Sequence, residues 1–346
     1  MKEEHKKIAL IGAGPIGLEM AVALKNAGLE YIHFDRGQIA QTISGFPRLM
    51  RFFSSSDRIA IAGVPIPGTD ESKCTREEYL AYLRSIVMQF DLKVVTYTSV
   101  SSIQKKHDGN FLIKTVHKEH TRDYTAEKVI AAIGDMHEPN LLHIPGENLP
   151  HVFHYFDEPH RFFRSRVMVI GGRNSAVEAA IRCHRCGADV SISYRGAKFS
   201  PDSVKYWLLP EIDGLINRGE IEFYKGTVPR EISAESVLLE QCENGSTFNV
   251  GADFVLLMTG YLADLSLLEN AGVRLAGENE QPEFNAQTME TNVPGFYIAG
   301  TVTAGRRQKK YRVFIENCHI HVERIIASLT GAPPPSGEAH FVQPES

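Results

Sequence analysis

The chain carries two copies of one nucleotide-binding plan, and this duplication constrains its fold more than any other feature. The first copy runs from the apolar strand Ile8-Ala-Leu-Ile11 into Gly12-Ala-Gly14-Pro15-Ile16-Gly17. A helical run from Leu18 to Asn26 follows, then Gly28, then a second strand, Tyr31-Ile-His-Phe34, ending at Asp35. The second copy runs from Val167-Met-Val-Ile170 into Gly171-Gly172-Arg173-Asn174-Ser175-Ala176. A helical run to Cys186 follows, then Gly187 and the strand Val190-Ser-Ile-Ser-Tyr194. Each copy reads strand, glycine turn, helix, helix-ending glycine, strand, which is the βαβ dinucleotide-binding unit. A lone glycine fingerprint is a weak signal. Two of them, each with strands on both sides, predict two dinucleotides on one chain and an α/β fold of two Rossmann-like, doubly wound domains.

The two copies differ where their ligands would differ. In the first, Gly12 permits the tight turn, Gly14 lets the backbone approach a pyrophosphate, and Gly17 lets the helix pack on the strand. The helix N-terminus adds amides and partial positive charge for the phosphates. Asp35 ends the second strand, about 20 residues on, where a carboxylate accepts ribose hydroxyls. In the second copy Arg173 replaces the middle glycine and Ala176 the last. The second strand ends in Tyr194-Arg195-Gly-Ala-Lys198, with no acid. A carboxylate would repel a ribose 2′-phosphate, whereas Arg195 and Lys198 attract one. The second site is therefore expected to take NADPH, and the tighter, all-glycine first site to hold FAD, which accepts the hydride.

Other segments place the rest of the frame. Phe111–Val116 and Lys128–Ile133 read as strands, the latter ending at Gly134. Phe254–Met258 and Phe296–Ala299 read likewise, the last ending at Gly300-Thr301. A final helix is expected from about Val313 to Leu329. The stretch from Pro139 to Pro150 suits a crossover between domains. The expected organisation is an FAD-binding domain from 1–138 and 264–332, an NADPH-binding domain from 139–263, and a flexible tail over 333–346.

Composition agrees with this and excludes alternatives. The chain has 346 residues, 43% of them hydrophobic, enough for buried cores and too much for a disordered or fibrous protein. A net charge of -5 argues against a nucleic-acid binder. The odd count of five cysteines fits a reducing compartment rather than a disulfide scaffold. The apolar run at Ile8 is too short for a signal peptide, and no apolar stretch reaches membrane-spanning length, so a cytoplasmic protein with no membrane partner is expected.

With both fingerprints in place, the chain resembles the two-domain flavoproteins of thioredoxin reductase type. Ile144-Pro-Gly-Glu147 and Thr291-Asn-Val-Pro-Gly-Phe-Tyr-Ile-Ala-Gly300 carry that likeness. Within the group it looks most similar to the YpdA-type bacillithiol disulfide reductase family. The segments are Phe52-Phe-Ser-Ser-Ser-Asp57, Val152-Phe-His-Tyr-Phe156, Gly171-Gly-Arg-Asn-Ser-Ala176, Tyr194-Arg195-Gly196, Lys205-Tyr-Trp-Leu-Leu-Pro210 and Phe314-Ile-Glu-Asn317. The likeness runs from about Ile8 to Leu329. It implies an FAD domain built from both chain ends, an inserted NADPH domain, and NADPH-driven reduction of a small-molecule disulfide. Homodimerisation, or a higher homo-oligomer, is common among such relatives.

Three departures bear on the electron route. Thioredoxin reductases carry a Cys-x-x-Cys upstream of the second glycine motif, where this chain has His151-Val-Phe-His154-Tyr-Phe-Asp157. YpdA-type members commonly carry a cysteine inside the first glycine motif, where this chain has Ile16. The wider group has an acid after the returning flavin-motif glycine, where this chain has Thr301. Cys318, His154 and His319 are the candidates for redox or proton-transfer roles. Cys183-His-Arg-Cys186 ends a helix, where a thiolate is disfavoured, and is expected to be structural, with no metal site nearby. Cys74 lies between cations that would lower its pKa, although a plain surface cysteine is the more ordinary reading. Arg306-Arg-Gln-Lys-Lys-Tyr-Arg312 is a basic loop that would suit an acidic electron-carrier protein as an alternative acceptor.

Overall fold

The computed structural model describes residues 4–68, 72–307 and 313–335. Its contacts divide the chain into two units. One takes in the described residues up to Gly45, then Leu49–Glu138, and those from Leu262 onward; the other is Pro139–Tyr261 with Phe46–Arg48.

In the first unit a mixed sheet runs Val94–Val95, Tyr31–Phe34, Glu4–Ile11, His120–Ala131, Phe111–His117 and Thr98–Lys105, with Phe296–Ile298 added against His120–Ala131. The apolar run Ile8–Ile11 lies between two parallel neighbours and is buried throughout, as a parallel strand covered on both faces must be. The long strand His120–Ala131 joins two regimes. It pairs antiparallel with Phe111–His117, and its second half pairs parallel with Phe296–Ile298. That pairing brings the chain's two ends into one sheet and sets Gly134 and Gly300 beyond neighbouring strand ends.

Helix Pro15–Asn26 follows the first strand, its proline at the first helical position where the missing N–H costs nothing. Helix Arg76–Gln89, not among the expected elements, is started by a capping box: the Thr75 hydroxyl accepts from the Glu78 amide and Glu78 reaches back to the Thr75 amide. The final α-helix spans His319–Thr330 rather than beginning near Val313. Phe314 is extended, its amide donates to the Asn317 side chain, and Ile315–Asn317 forms a single 3-10 turn first.

In the second unit an all-parallel sheet runs Ile221–Lys225, Asp189–Tyr194, Arg166–Ile170, Phe254–Leu257 and Val152–Phe153. Beside it stand three antiparallel strands, Thr227–Ile232, Ser236–Gln241 and Thr247–Gly251, which the sequence reading did not foresee. The core joins Val167, Val169, Val190 and Ile192 of the sheet to Ala176, Val177, Ala180 and Ile181 of helix Asn174–Arg185.

The Ile144–Glu147 turn has a physical reason. Glu147 is buried, and its two carboxylate oxygens accept the Leu142 and His143 amides at 2.6 and 2.7 Å. His143 and Gly146 both hold positive φ, and a Cβ on Gly146 would lie 1.8 Å from the Ile232 carbonyl oxygen. Replacing Glu147 by alanine strips both amides of their acceptor. Glu147→Ala is expected to lower stability by about 1–3 kcal/mol in urea unfolding, and Glu147→Gln, which keeps an acceptor, by less.

Candidate cofactor sites

The first glycine turn is packed without clearance. Gly12 has φ +97° and faces the Ala132 carbonyl oxygen, 2.3 Å from where a Cβ would be. A Cβ on Gly17 would lie 1.9 Å from the Gly12 carbonyl oxygen. Gly14 is different. Its φ of −73° suits any residue, and nothing lies within 4 Å of its missing Cβ. Neither backbone nor packing asks for glycine there, and the space above it is open. The first intrahelical bond runs from the Leu18 amide to the Gly14 carbonyl, so the amides of Ile16 and Gly17 precede the helical ladder.

Asp35 stands just past its strand. Its carboxylate accepts the Ala13 amide at 2.6 Å and the Gly37 amide at 2.8 Å. A carboxylate offers about four acceptor positions, so these two bonds leave capacity for further donors. The returning motif meets the same place: a Cβ on Gly300 would lie 3.5 Å from the Cβ of Ile16, and one on Gly134 would lie 3.9 Å from the Thr301 hydroxyl. Gly12, Gly14, Pro15, Ile16, Gly17, Asp35, Gly134, Gly300 and Thr301 thus belong to one unit, with Ile16 against Gly300 and Gly134 against Thr301.

Three histidines that hold this site together carry no local sequence signal or only a weak one. His33 is fully buried, and its Nε2–H donates to the Gly12 carbonyl at 2.8 Å, leaving Nδ1 without a hydrogen-bond partner. His321 is also buried, and its Nδ1 accepts the Gly300 amide at 3.1 Å. Burial pushes both imidazoles down to about 4; the Gly12 bond opposes this at His33, while Arg324 and His319 add to it at His321. His319 behaves oppositely. Its Nδ1 faces the Glu19 carboxylate at 2.8 Å and its Nε2 faces the Arg58 carbonyl at 3.0 Å. Two acceptors on one ring are both satisfied only by imidazolium. Burial opposes that charge, but Glu19 outweighs it and raises the pKa.

The cysteines are placed less usefully for redox work. Cys318 is fully buried, and burial, with Asp135 and Glu19, pushes its thiol far up. Cys74 is buried rather than on the surface, and burial raises its thiol as well. Cys183 is buried with its thiol pushed up to about 12 by burial and by Cys186. Among the described residues no His, Cys, Asp or Glu side chains group as metal ligands. No helix of the described residues is long and apolar enough to cross a membrane.

In the second unit Gly171 has φ +146°, and a Cβ on it would meet the Met258 carbonyl oxygen at 2.5 Å. Ala176 packs 3.0 Å from that same point. Gly172 is glycine for a different reason than cofactor approach: the Tyr194 ring lies where its Cβ would be, at 2.3–2.5 Å. Arg173 caps the helix and is exposed, as are Ser175, Arg195 and Lys198. Asn174 is engaged by the chain itself, its amide donating to the Ser203 carbonyl and its side chain accepting the Lys205 amide at 2.8 Å. The His154 ring lies just beyond strand Val152–Phe153 with Nδ1 buried and unpartnered. Of the basic loop, Arg306 pairs with Glu280 and Glu269, while positions 308–312 lie outside the described residues, as do 336–346 of the expected tail.

Two strand–glycine turn–helix units on one chain, one with an acid past its second strand and the other with exposed cations there, have the form of an oxidoreductase that uses dinucleotides. The family model described as pyridine nucleotide-disulphide oxidoreductase matches residues 9–300. The chain belongs to this family, in its bacilliredoxin reductase (YpdA-type) branch. It is 37% identical to bacilliredoxin reductase Bdr of Bacillus subtilis (strain 168), over 94% of this chain and 98% of that protein. The structure of bacillithiol disulfide reductase Bdr (YpdA) from Bacillus cereus superposes with a TM-score of 0.90 at 33% identity, over 95% of this chain and 99% of that one. A ferredoxin–NADP reductase of Ignicoccus hospitalis is 26% identical over 85% of this chain and 89% of its own length. The protein is an oxidoreductase whose cofactors are FAD and NADPH.

Two expectations follow. Gly14→Ala is expected to leave the thermal midpoint of the flavin-free protein unchanged while weakening FAD binding about tenfold or more, the scale of a forced clash of about 1–3 kcal/mol; equilibrium dialysis with FAD reads it. Unfolded histidine titrates near 6.5, whereas native His33 and His321 titrate at about 4. The unfolded chain therefore binds protons first as pH falls, and these two residues cost stability progressively from pH 6.5 to 4. His319 has the opposite sign: its contribution is full below 6.5 and fades as pH rises through its raised value. Thermal melts against pH should show the acid decline flattened in a His33→Gln, His321→Asn double variant, and the alkaline decline flattened in His319→Gln.

Proposed function

We propose that this chain is an NADPH-driven, FAD-dependent reductase of a small-molecule disulfide, of bacillithiol type. The observation that carries the reading is the near full-length match to proteins named bacilliredoxin reductase and bacillithiol disulfide reductase. The flavin's place is along Gly12, Gly14, Pro15, Ile16 and Gly17, with Asp35 for the ribose and Gly134, Gly300 and Thr301 closing the pocket. The nicotinamide dinucleotide's place is along Gly171–Ala176, with Arg195 and Lys198 for the 2′-phosphate. Bound FAD supplies the two-electron relay between nicotinamide and acceptor.

The chain's own residues define the rest. Ile16 is 6% exposed and stands against Gly300, so no mixed disulfide forms at that position. The raised thiols of Cys74, Cys183 and Cys318 argue against thiolate attack from any of them. The imidazolium form of His319, held by Glu19, keeps a proton in the flavin-binding unit. A reducing cytoplasm is the compartment this chemistry fits.

The test is anaerobic reduction of the purified holoprotein with NADPH, followed through flavin absorbance, and then addition of bacillithiol disulfide. Rapid reoxidation is the expected result. A competent reduced flavin that ignores the disulfide but is reoxidised promptly by ferredoxin or flavodoxin would move the assignment to an electron-carrier reductase. Tight cofactor binding with negligible turnover on every acceptor would point to a redox sensor.

A further inference from the structure

We infer that the segment Lys205–Trp207 is a third wall of the NADPH cradle, with the Lys205 ammonium meeting the dinucleotide's phosphates and the Tyr206–Trp207 pair covering it. The inference rests on the reading of Gly171–Ala176 as that cradle. Its carrying observation is a two-point tie between this segment and the start of helix Asn174–Arg185. The Asn174 side chain accepts the Lys205 amide at 2.8 Å, and the Asn174 amide donates to the Ser203 carbonyl at 3.2 Å. The first bond of the helical ladder runs from the Val177 amide to the Arg173 carbonyl. Lys205 is therefore anchored within one side chain's length of the turn whose amides precede the ladder, which is where a pyrophosphate binds.

The segment's own packing decides which residues it offers. Val204 is buried in the core of the unit, and Leu208 and Leu209 pack against that core. The amides of both leucines return to the Lys205 carbonyl, closing a turn that fixes the three residues Lys205, Tyr206 and Trp207. Those three are a cation and two aromatics, with no acid among them. Tyr206 is 65% exposed, Trp207 is partly exposed, and their rings meet edge to face at 4.9 Å. A large aromatic surface turned outward beside a dinucleotide turn is unfavourable in water and gains most by lying against a planar ring. Lysine is a point charge on a flexible four-carbon stem, suited to a phosphate that arrives and leaves. The middle glycine of the fingerprint is Arg173 here, which limits close backbone approach; charge from Lys205 compensates for contact the amides lose.

Trp207 is the only tryptophan in the chain, so its emission reports this wall alone. The probe is NADP⁺, which binds without reducing the flavin. Saturable change of Trp207 emission on NADP⁺ titration of the holoprotein is expected, with the same Kd as calorimetry. Lys205→Ala is expected to raise that Kd about tenfold, the scale of one charge-assisted hydrogen bond. Trp207→Phe is expected to raise the calorimetric Kd severalfold. The Asn174 tie uses the Lys205 backbone amide, so the turn keeps its anchor in Lys205→Ala. Arg195→Ala with Lys198→Ala is the control for the cradle. If that control weakens NADP⁺ binding while tryptophan emission stays flat and Lys205→Ala binds as wild type does, the wall is refuted and the cradle stands. If the wild-type protein binds no NADP⁺, the cradle falls and the wall with it.

Discussion

The carbonyl of Gly12 is the point on which the flavin-binding unit turns. It faces the missing Cβ of Gly17, so the first helix rests on the turn backbone to backbone. It accepts the Nε2–H of His33, which reaches it from the next strand. Gly12's own amide donates to the Phe34 carbonyl on that strand. Strand, turn, helix and second strand are therefore locked through one residue's backbone. Ile16, one turn into the lock, sets the surface on which Gly300 closes. Gly300 in turn gives its amide to His321 on the last helix. The chain's beginning and end are joined by this relay as well as by the sheet.

The second unit solves the same geometric problem with different chemistry. Gly171 again carries the tight turn, but the space beside it is filled by the Tyr194 ring, stacked in turn on Phe199 at 5.9 Å. The strand end is thus stiffened by aromatics, while Arg195 and Lys198 beyond it remain exposed. In the first unit the strand end folds its charge inward, with Asp35 bonded to two backbone amides of the glycine turn and the next turn. An inward acid suits a ligand held permanently by neutral hydroxyls. Outward cations suit a charged ligand that exchanges with solvent.

What the sequence made legible was whatever depends on neighbours in the chain. Both glycine turns, the strands around them and the opposite charge at Asp35 and Arg195 are local patterns with fixed spacing. The parts that escaped depend on distant partners or on caps. Helix Arg76–Gln89 is announced by the capping box of Thr75 and Glu78, a short signal set in a polar stretch. The last helix starts at His319 rather than near Val313 because the Asn317 side chain captured the Phe314 amide. His33 and His321 look like any buried or surface histidine until the carbonyl and amide they serve, far off in sequence, are seen beside them. Gly172 was legible as a glycine, but its reason, an aromatic ring from the next strand, was not.

The same limit applies to the electron route, and the proton balance carries it further than motifs do. Reducing a disulfide to two thiols takes two electrons and two protons, and a hydride brings both electrons with only one proton. A relay through a protein dithiol would divide that transfer into exchanges, each with its own thiolate. This chain has isoleucine in the glycine turn, and burial raises the thiols of Cys74, Cys183 and Cys318, which argues against such a division at these positions. The second proton is then taken from solvent or from a protonated side chain. In the flavin-binding unit His319 is held in its protonated form because both its ring nitrogens face acceptors. Glu19 also accepts the Ala62 amide and so keeps a partner whichever form the imidazole takes. The charge of this histidine is thus set by a carboxylate and a carbonyl, independently of any thiol.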